Sequence, residues 1–293
     1  MSNETSSSLT EFTVALVQMA PAHLDANTNI DRMATFIRDA AGRGARLIVF
    51  PELVVTGYIL PYDPVEKCLF YETSEPIPGP ATDRIGVLAG ELGVYVVFGM
   101  AERGESLFGP VMHNVSVMVG PDRSVAVHRK THLPGDERLY FQPGNTVSVF
   151  DTALGKVSLL VCYDFWFPEV SRIAGLRGAQ IIIDSANWPA FDTETWYALG
   201  PGVAASNVVW LIQVNRVGGE DHWPGFGGSQ VVAPSGKVVV RGDGAEGITY
   251  GTIDPAAVSE RRMLTPVWFD RRPELYGPVA QDISPSTEDR KKP

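Results

Sequence analysis

The sequence predicts an α/β protein whose strands form two packed sheets, and three observations predict it. Ten runs rich in Val and Ile recur, at 13–18, 46–51, 94–100, 114–119, 158–162, 180–185, 208–214, 229–233, 238–241 and 247–252. Most are continuously apolar rather than alternating, as strands covered by helices on at least one face are. Helical spacings fall between several of the early runs, and strands predominate from Val208 to about Asp254. Ten strands are many for one twisted sheet, so two packed sheets are the more comfortable arrangement.

Taken in order, residues 1–11 are polar and acidic, with neither the basic flank nor the apolar core of a signal segment, and are expected to be a disordered tail. After the first strand, Ile30, Met33, Ile37, Ala40 and Ala41 recur at helical spacing and predict a helix over 29–43. The strand 46–51 runs straight into Pro51-Glu52. A second helix over 82–92 stops at Gly93, a residue suited to a left-handed C-cap. Between strands 114–119 and 158–162 lies a charged segment, 128–141, whose interleaved Leu, Pro, Tyr and Phe predict a loop pressed onto the body. Pro168 opens a third helix, 168–177, closed by Gly178. A fourth, 196–206, is weakened by Gly200-Pro201-Gly202, and Gly227-Gly228 reads as a tight turn opening the strand 229–233. Residues 12–281 are expected to form a single domain, and 282–293 a second disordered tail.

Composition narrows the function. A hydrophobic share of 44% and a charged share of 20% are those of an ordinary soluble globular chain. A net charge of −10 argues against nucleic acid or an anionic membrane as the main partner. No apolar stretch approaches the roughly 20 residues that span a bilayer. Cys68 and Cys162, the only cysteines, make no disulfide framework, so a reducing, cytoplasmic setting is expected. There is no Gly-x-Ser-x-Gly elbow, no Walker loop, no Gly-x-Gly-x-x-Gly after a strand and no His-Glu-x-x-His, which leaves several enzyme classes without support and is consistent with a reaction that needs no metal or organic cofactor.

Three segments carry chemistry. In Val157-Ser158-Leu159-Leu160-Val161-Cys162 an apolar strand delivers a thiol to its C-terminal edge, where a turn exposes side chains and unpaired N–H groups together. A lone cysteine after such a run is more often a small packed hydrophobe. In Phe50-Pro51-Glu52 a buried strand ends on a carboxylate, alone an ordinary solvated turn residue. The third segment holds Arg129-Lys130-Thr131-His132-Leu133 and Gly135-Asp136-Glu137; His128 and His132 beside Lys130 are read as loop-packing residues rather than ligands.

In that order Glu52, Lys130 and Cys162 resemble the carbon-nitrogen hydrolase (nitrilase) superfamily, in its amidase-like branch. The resemblance continues through Cys162-Tyr163-Asp164, Phe167-Pro168-Glu169, Asn187-Trp188-Pro189, Asn215-Arg216-Val217-Gly218 and Arg271-Arg272-Pro273-Glu274-Leu275-Tyr276, and covers about residues 12–277. It implies a four-layer α-β-β-α sandwich with two mixed sheets, and a homodimer or larger homo-oligomer. It also implies Cys162 as nucleophile, Glu52 as general acid and base, Lys130 with the Tyr163 N–H as oxyanion donors, and Glu137 as an orienting group. The chemistry is sound: an amide is a poor electrophile, and a thiol with a pKa near ~8.5 needs a neighbouring base to attack it at neutral pH.

True nitrilases of this superfamily carry Trp-Glu after the nucleophile; Tyr163-Asp164 here favours an amide over a nitrile. Trp166 and Trp188, with Phe191 and Trp196, suit a small apolar acyl chain, so an aliphatic or short-chain amide is the expected substrate. Alternatives are a nitrilase, an N-carbamoyl amino acid or ω-amide hydrolase, and a non-catalytic binding protein keeping the fold. The carbamoyl and ω-amide classes need a cation for a second carboxylate; Arg138 is conceivable, while Arg172 and Arg216 are read as structural. Ser206-Asn207 stands where many relatives carry Glu-Asn.

Overall fold

A computed structural model describes residues 10–107, 109–219 and 223–281. The expected tails, 1–11 apart from Thr10 and Glu11, and 282–293, lie outside the described residues. In chain order the elements begin β1 (Phe12–Gln18), α1 (Ala26–Gly42), β2 (Ala45–Val49), α2 (Pro64–Thr73), α3 (Pro80–Leu92), β3 (Tyr95–Ser106), β4 (Gly109–Val119), β5 (Val125–Arg129) and α4 (Glu137–Tyr140). There follow β6 (Phe150–Thr152), β7 (Gly155–Val161), α5 (Pro168–Leu176), β8 (Ile181–Ala186), α6 (Thr193–Asn207), β9 (Trp210–Asn215) and β10 (Val217–Gly218). The last are β11 (Gly225–Phe226), β12 (Gln230–Val232), β13 (Val238–Arg241), β14 (Gly247–Ile253) and α7 (Ala256–Leu264).

The two large sheets repeat one plan. In the first, of order β14-β1-β2-β3-β4-β5, the central β1, β2 and β3 are parallel and the outer strands antiparallel. In the second, of order β13-β12-β9-β8-β7-β6, the parallel trio is β7, β8 and β9. Because side chains alternate across a strand, Leu47 and Val49 of β2 face the second sheet, where they meet a core with Leu159, Ile181, Ile183 and Ile212. Ile48, between them, faces outward onto Ile30, Met33 and Ile37 of α1 and Ile85 of α3. The second sheet is covered in the same way, Leu160, Ile182 and Leu211 packing under Val170 of α5 and Val203 of α6. Both faces of each trio are therefore buried, which is why the strands read as unbroken apolar runs; each fully enclosed Val, Leu or Ile contributes about 1.5–3 kcal/mol. The layers are α-β-β-α, as expected.

Differences from the expectation have local causes. The short edge strands β5 and β6 and the ribbon β10–β11 are additional to the ten expected runs, being too brief or too polar to show a pattern. Helix α2 begins at Pro64 after Asp63, whose side chain accepts the N–H groups of Val65 and Glu66, but buries only Phe70. Helix α7 likewise buries only Val258. Helix α6 runs through Gly200-Pro201-Gly202 unbroken. Gly200 serves packing there: a Cβ would stand 2.5 Å from the side chains of Gln213 and Gln230 on the sheet below. Among the described residues no helix is long and apolar enough to cross a membrane.

Candidate active site

Cys162 follows the last residue of β7, and its φ of 47° is left-handed, a conformation costing a non-glycine residue about 1–3 kcal/mol. A 3-10 turn, Cys162–Trp166, leads into α5. Two aspartate carboxyl groups hold this strained corner. Asp184 on β8 accepts the Cys162 N–H at 2.8 Å, and Asp164 accepts the Val161 N–H at 3.4 Å. The Tyr163 N–H lies at the start of the 3-10 turn, where backbone donors have no acceptor within the turn.

Glu52 comes from the opposite sheet, three residues beyond β2. Gly99 on β3 makes the approach possible, since a Cβ there would lie 2.3 Å from the Leu53 nitrogen and 2.5 Å from the Glu52 Cα. Glu52 Oε1 accepts from Lys130 Nζ at 2.6 Å and Asn114 Nδ2 at 2.7 Å, and Oε2 accepts the Asn187 N–H at 2.9 Å. Lys130, just past β5, donates also to Glu137 Oε1 at 2.7 Å, and that oxygen takes the Tyr58 hydroxyl at 2.7 Å. Glu52 and Lys130 are 0% exposed, Glu137 1% and Cys162 7%.

Asp164 ties the lysine segment to the nucleophile turn. Its Oδ1 accepts the N–H groups of Thr131 (3.0 Å) and His132 (2.9 Å) and the Thr131 hydroxyl (2.6 Å), and its Oδ2 meets His128 Nε2 at 2.9 Å. Beside Cys162 opens a cavity of about 230 Å³, lined by Tyr58, Tyr163, Trp166, Trp188, Phe191 and Trp223 together with Pro134, Pro189 and Asp192. Trp166 and Trp188 stack at 5.7 Å. No Arg or Lys is among the described lining residues. Among the described residues no cluster of three or more His, Cys, Asp or Glu is arranged to hold a metal ion.

A profile of the carbon-nitrogen hydrolase family matches residues 13–263. The chain belongs to the carbon-nitrogen hydrolase family. A nitrilase of Pyrococcus abyssi is 34% identical over 90% of this chain and 98% of its own length. An omega-amidase of Homo sapiens is 30% identical over 92% and 98%. Among solved structures, a variant amidase from Nesterenkonia sp. AN1 carries the acetamide moiety of fluoroacetamide added covalently at its active-site cysteine. It covers 92% of this chain and 97% of its own, at 27% identity and a TM-score of 0.76.

The electrostatics of this carbon-nitrogen hydrolase follow from burial. Burial, then the Glu52 charge, pushes the Cys162 thiol well above its usual range, against the pull of Lys130. The resting sulfur is thus a thiol. Burial works against the Lys130 charge, but Glu137 and Glu52 outweigh it and hold the ammonium protonated. Burial raises the Glu137 carboxyl, and Lys130 pulls it back. Asp164 is held well below the usual carboxylate range: burial raises it, but the hydrogen bonds and charge from His128, with His132 and Thr131, prevail.

The structure brings Glu52, Lys130 and Glu137 into one hydrogen-bonded cluster whose charges act on Cys162, and Tyr163, Trp166 and Trp188 line the cavity. Trp196 does not. It is fully enclosed behind Trp188, at 5.4 Å, and donates to the Gly228 carbonyl, so it is core. Of the arginines, Arg138 donates to the Leu133 carbonyl, Arg172 lies over Trp268, and Arg216 is buried over the Tyr58 ring; none lines the cavity. Asn207 turns its amide to the Val203 carbonyl within α6. Sequence reasoning missed Tyr58, Asn114, Asp184 and Trp223. Only Asp184 left a legible trace, an acid closing the run Ile181-Ile182-Ile183.

Proposed function

We propose that this carbon-nitrogen hydrolase cleaves a small primary amide with a short apolar acyl group, releasing ammonia and a carboxylic acid through a thioester on Cys162. The observation that carries the reading is the buried ammonium of Lys130 bridging Glu52 and Glu137 while acting on the Cys162 thiol. As the sulfur adds to the carbonyl carbon, its proton passes to Glu52. The oxyanion is stabilised by Lys130 Nζ and the Tyr163 N–H. Glu52 then gives the proton to the amide nitrogen, the C–N bond breaks, and ammonia leaves behind a thioester. A water that yields its proton to Glu52 adds to the thioester, and collapse releases the acid and the thiol. Asn114, Asn187 and Tyr58 keep the two carboxylates oriented throughout.

The aromatic lining, with no Arg or Lys among its described residues, favours an apolar acyl group over one ending in a second carboxylate. A nitrile is the second reading, favoured by the relationship to the Pyrococcus abyssi nitrilase. Ammonia release from propionamide, a dicarboxylic ω-amide, an N-carbamoyl amino acid and propionitrile decides between them, with propionamide expected to be fastest. A faster ω-amide or nitrile overturns the substrate assignment, and release from none of them favours a binding protein. Lys130→Ala is expected to lower kcat/KM about 10²–10³-fold, the effect of losing one oxyanion donor. Iodoacetamide should still alkylate Cys162 in that variant; loss of alkylation as well would make Lys130 a purely structural residue.

A further inference from the structure

Behind the nucleophile turn lies a buried carboxyl that this reaction leaves unused. Asp184 is wholly enclosed on β8, opposite Leu160 of β7. Its Oδ1 accepts the Cys162 N–H at 2.8 Å, while its Oδ2 has no hydrogen-bond partner among the described residues. Facing it in register on β9 is Gln213, whose Nε2 makes no full hydrogen bond among the described residues, although its amide still favours the charged form of Asp184. On the β4 side the neighbouring Ser185 meets Ser116, a neutral hydroxyl.

Among the described residues the surrounding charges leave no counter-ion for a carboxylate here. Glu52 and Asp164 act on Asp184 with the same sign. The basic side chains nearby are committed elsewhere: Lys130 to Glu52 and Glu137, His128 and His132 to Asp164, and Arg241 to Gln230, which in turn donates to Gln213. A buried carboxylate with one backbone donor, a loosely placed side-chain amide and like-charged neighbours is costly, whereas a neutral carboxyl is accommodated. Burial, with Glu52 and Asp164, pushes the Asp184 pKa up to about 8, against the Cys162 N–H and the Gln213 amide.

We propose that Asp184 is a positioning residue for the nucleophile, an uncharged carboxylic acid that anchors the left-handed Cys162 backbone and keeps a further negative charge away from the sulfur. The proposal rests on Cys162 being the nucleophile. Anchoring also commits the Cys162 N–H, so the next donor along the turn, the Tyr163 N–H, is the one left for the oxyanion. Ionisation of Asp184 would oppose both thiol deprotonation and charge on the oxygen.

The test is the kcat/KM profile from pH 5 to 10 for the wild type, Asp184→Asn and Asp184→Leu. The wild type should fall about tenfold with a midpoint near pH 8, and Asp184→Asn, which keeps the acceptor and has no proton to lose, should move that fall up by at least one pH unit. Asp184→Leu lacks the acceptor and should stand at least about tenfold below Asp184→Asn in kcat at neutral pH. Stability supplies a second readout. The folded-state pKa is raised above the unfolded value near ~3.9, so the group's contribution is complete below that value and is lost as pH rises through about 8. The Tm of Asp184→Asn relative to wild type should therefore climb between pH 5 and 9. An unchanged alkaline limb in Asp184→Asn overturns the proposal, even should Asp184→Leu not fold. Cys162→Ala assayed alongside separates the two ideas: ammonia release persisting there refutes the nucleophile, not Asp184.

Discussion

Cys162→Ala is expected to lower kcat/KM for an amide by about 10⁴-fold or more while leaving Tm within a few degrees of wild type. The loss is large because no other group can take over the covalent step. The second cysteine, Cys68, is exposed on α2 and lines a separate surface pocket with Lys67 and Tyr71. The fold survives because the bonds holding the corner run from the backbone: the Cys162 N–H to Asp184 and the Val161 N–H to Asp164. Alanine keeps both, and bears the left-handed φ no worse than cysteine. Cys68→Ala should retain wild-type turnover. Ammonia assays with intact-mass detection of the acyl adduct check both variants. Were Cys68→Ala the inactive one, the nucleophile strand would have been misassigned.

Glu52→Gln should cost about 10³-fold in amide kcat, within the usual range for a general base. It should also lose about 1–3 kcal/mol of stability. The stability loss follows from the donors around the side chain. Lys130, Asn114 and the Asn187 N–H all donate to the carboxylate, so a glutamine must turn its own NH₂ toward a donor. The rate loss should be selective. An activated ester whose leaving group needs no proton should still acylate Cys162, so burst acylation by p-nitrophenyl acetate should fall far less than amide hydrolysis. Equal losses on both substrates would mean that Glu52 serves only to hold Lys130.

How much of this was legible depended on where each signal resides. Glu52 and Cys162 stand just past buried strands, and a reactive side chain following an apolar run is visible locally. Lys130 was visible through its motif, although the strand that delivers it, β5, was not: its five residues Val125–Arg129 form a half-exposed edge with little apolar pattern. Asn114 opens the buried half of β4, residues 114–119, so nothing near it in sequence distinguishes it from a buried strand residue. Asn187 contributes a backbone N–H, which no side chain announces. Trp196 misled because a tryptophan lining a cavity and one packed behind it look alike in sequence.

By itself the sequence determined the α/β class, the two packed sheets and the chemical kinds at the site, because strand pattern, helix caps and reactive side chains are encoded within short windows. The tertiary structure alone decided which of those groups meet. Glu52 and Lys130 stand 78 residues apart and share a hydrogen bond only because β2 and β5 belong to one sheet. Cys162 reaches them from the other sheet, and packing one sheet on the other buries a core that holds all three at the same end of the sandwich. Burial and neighbouring charge together then set the protonation states: Glu137 and Glu52 keep Lys130 charged against burial, and burial with Glu52 keeps Cys162 a thiol, because desolvation and neighbouring charge belong to the assembled site and to no segment of it.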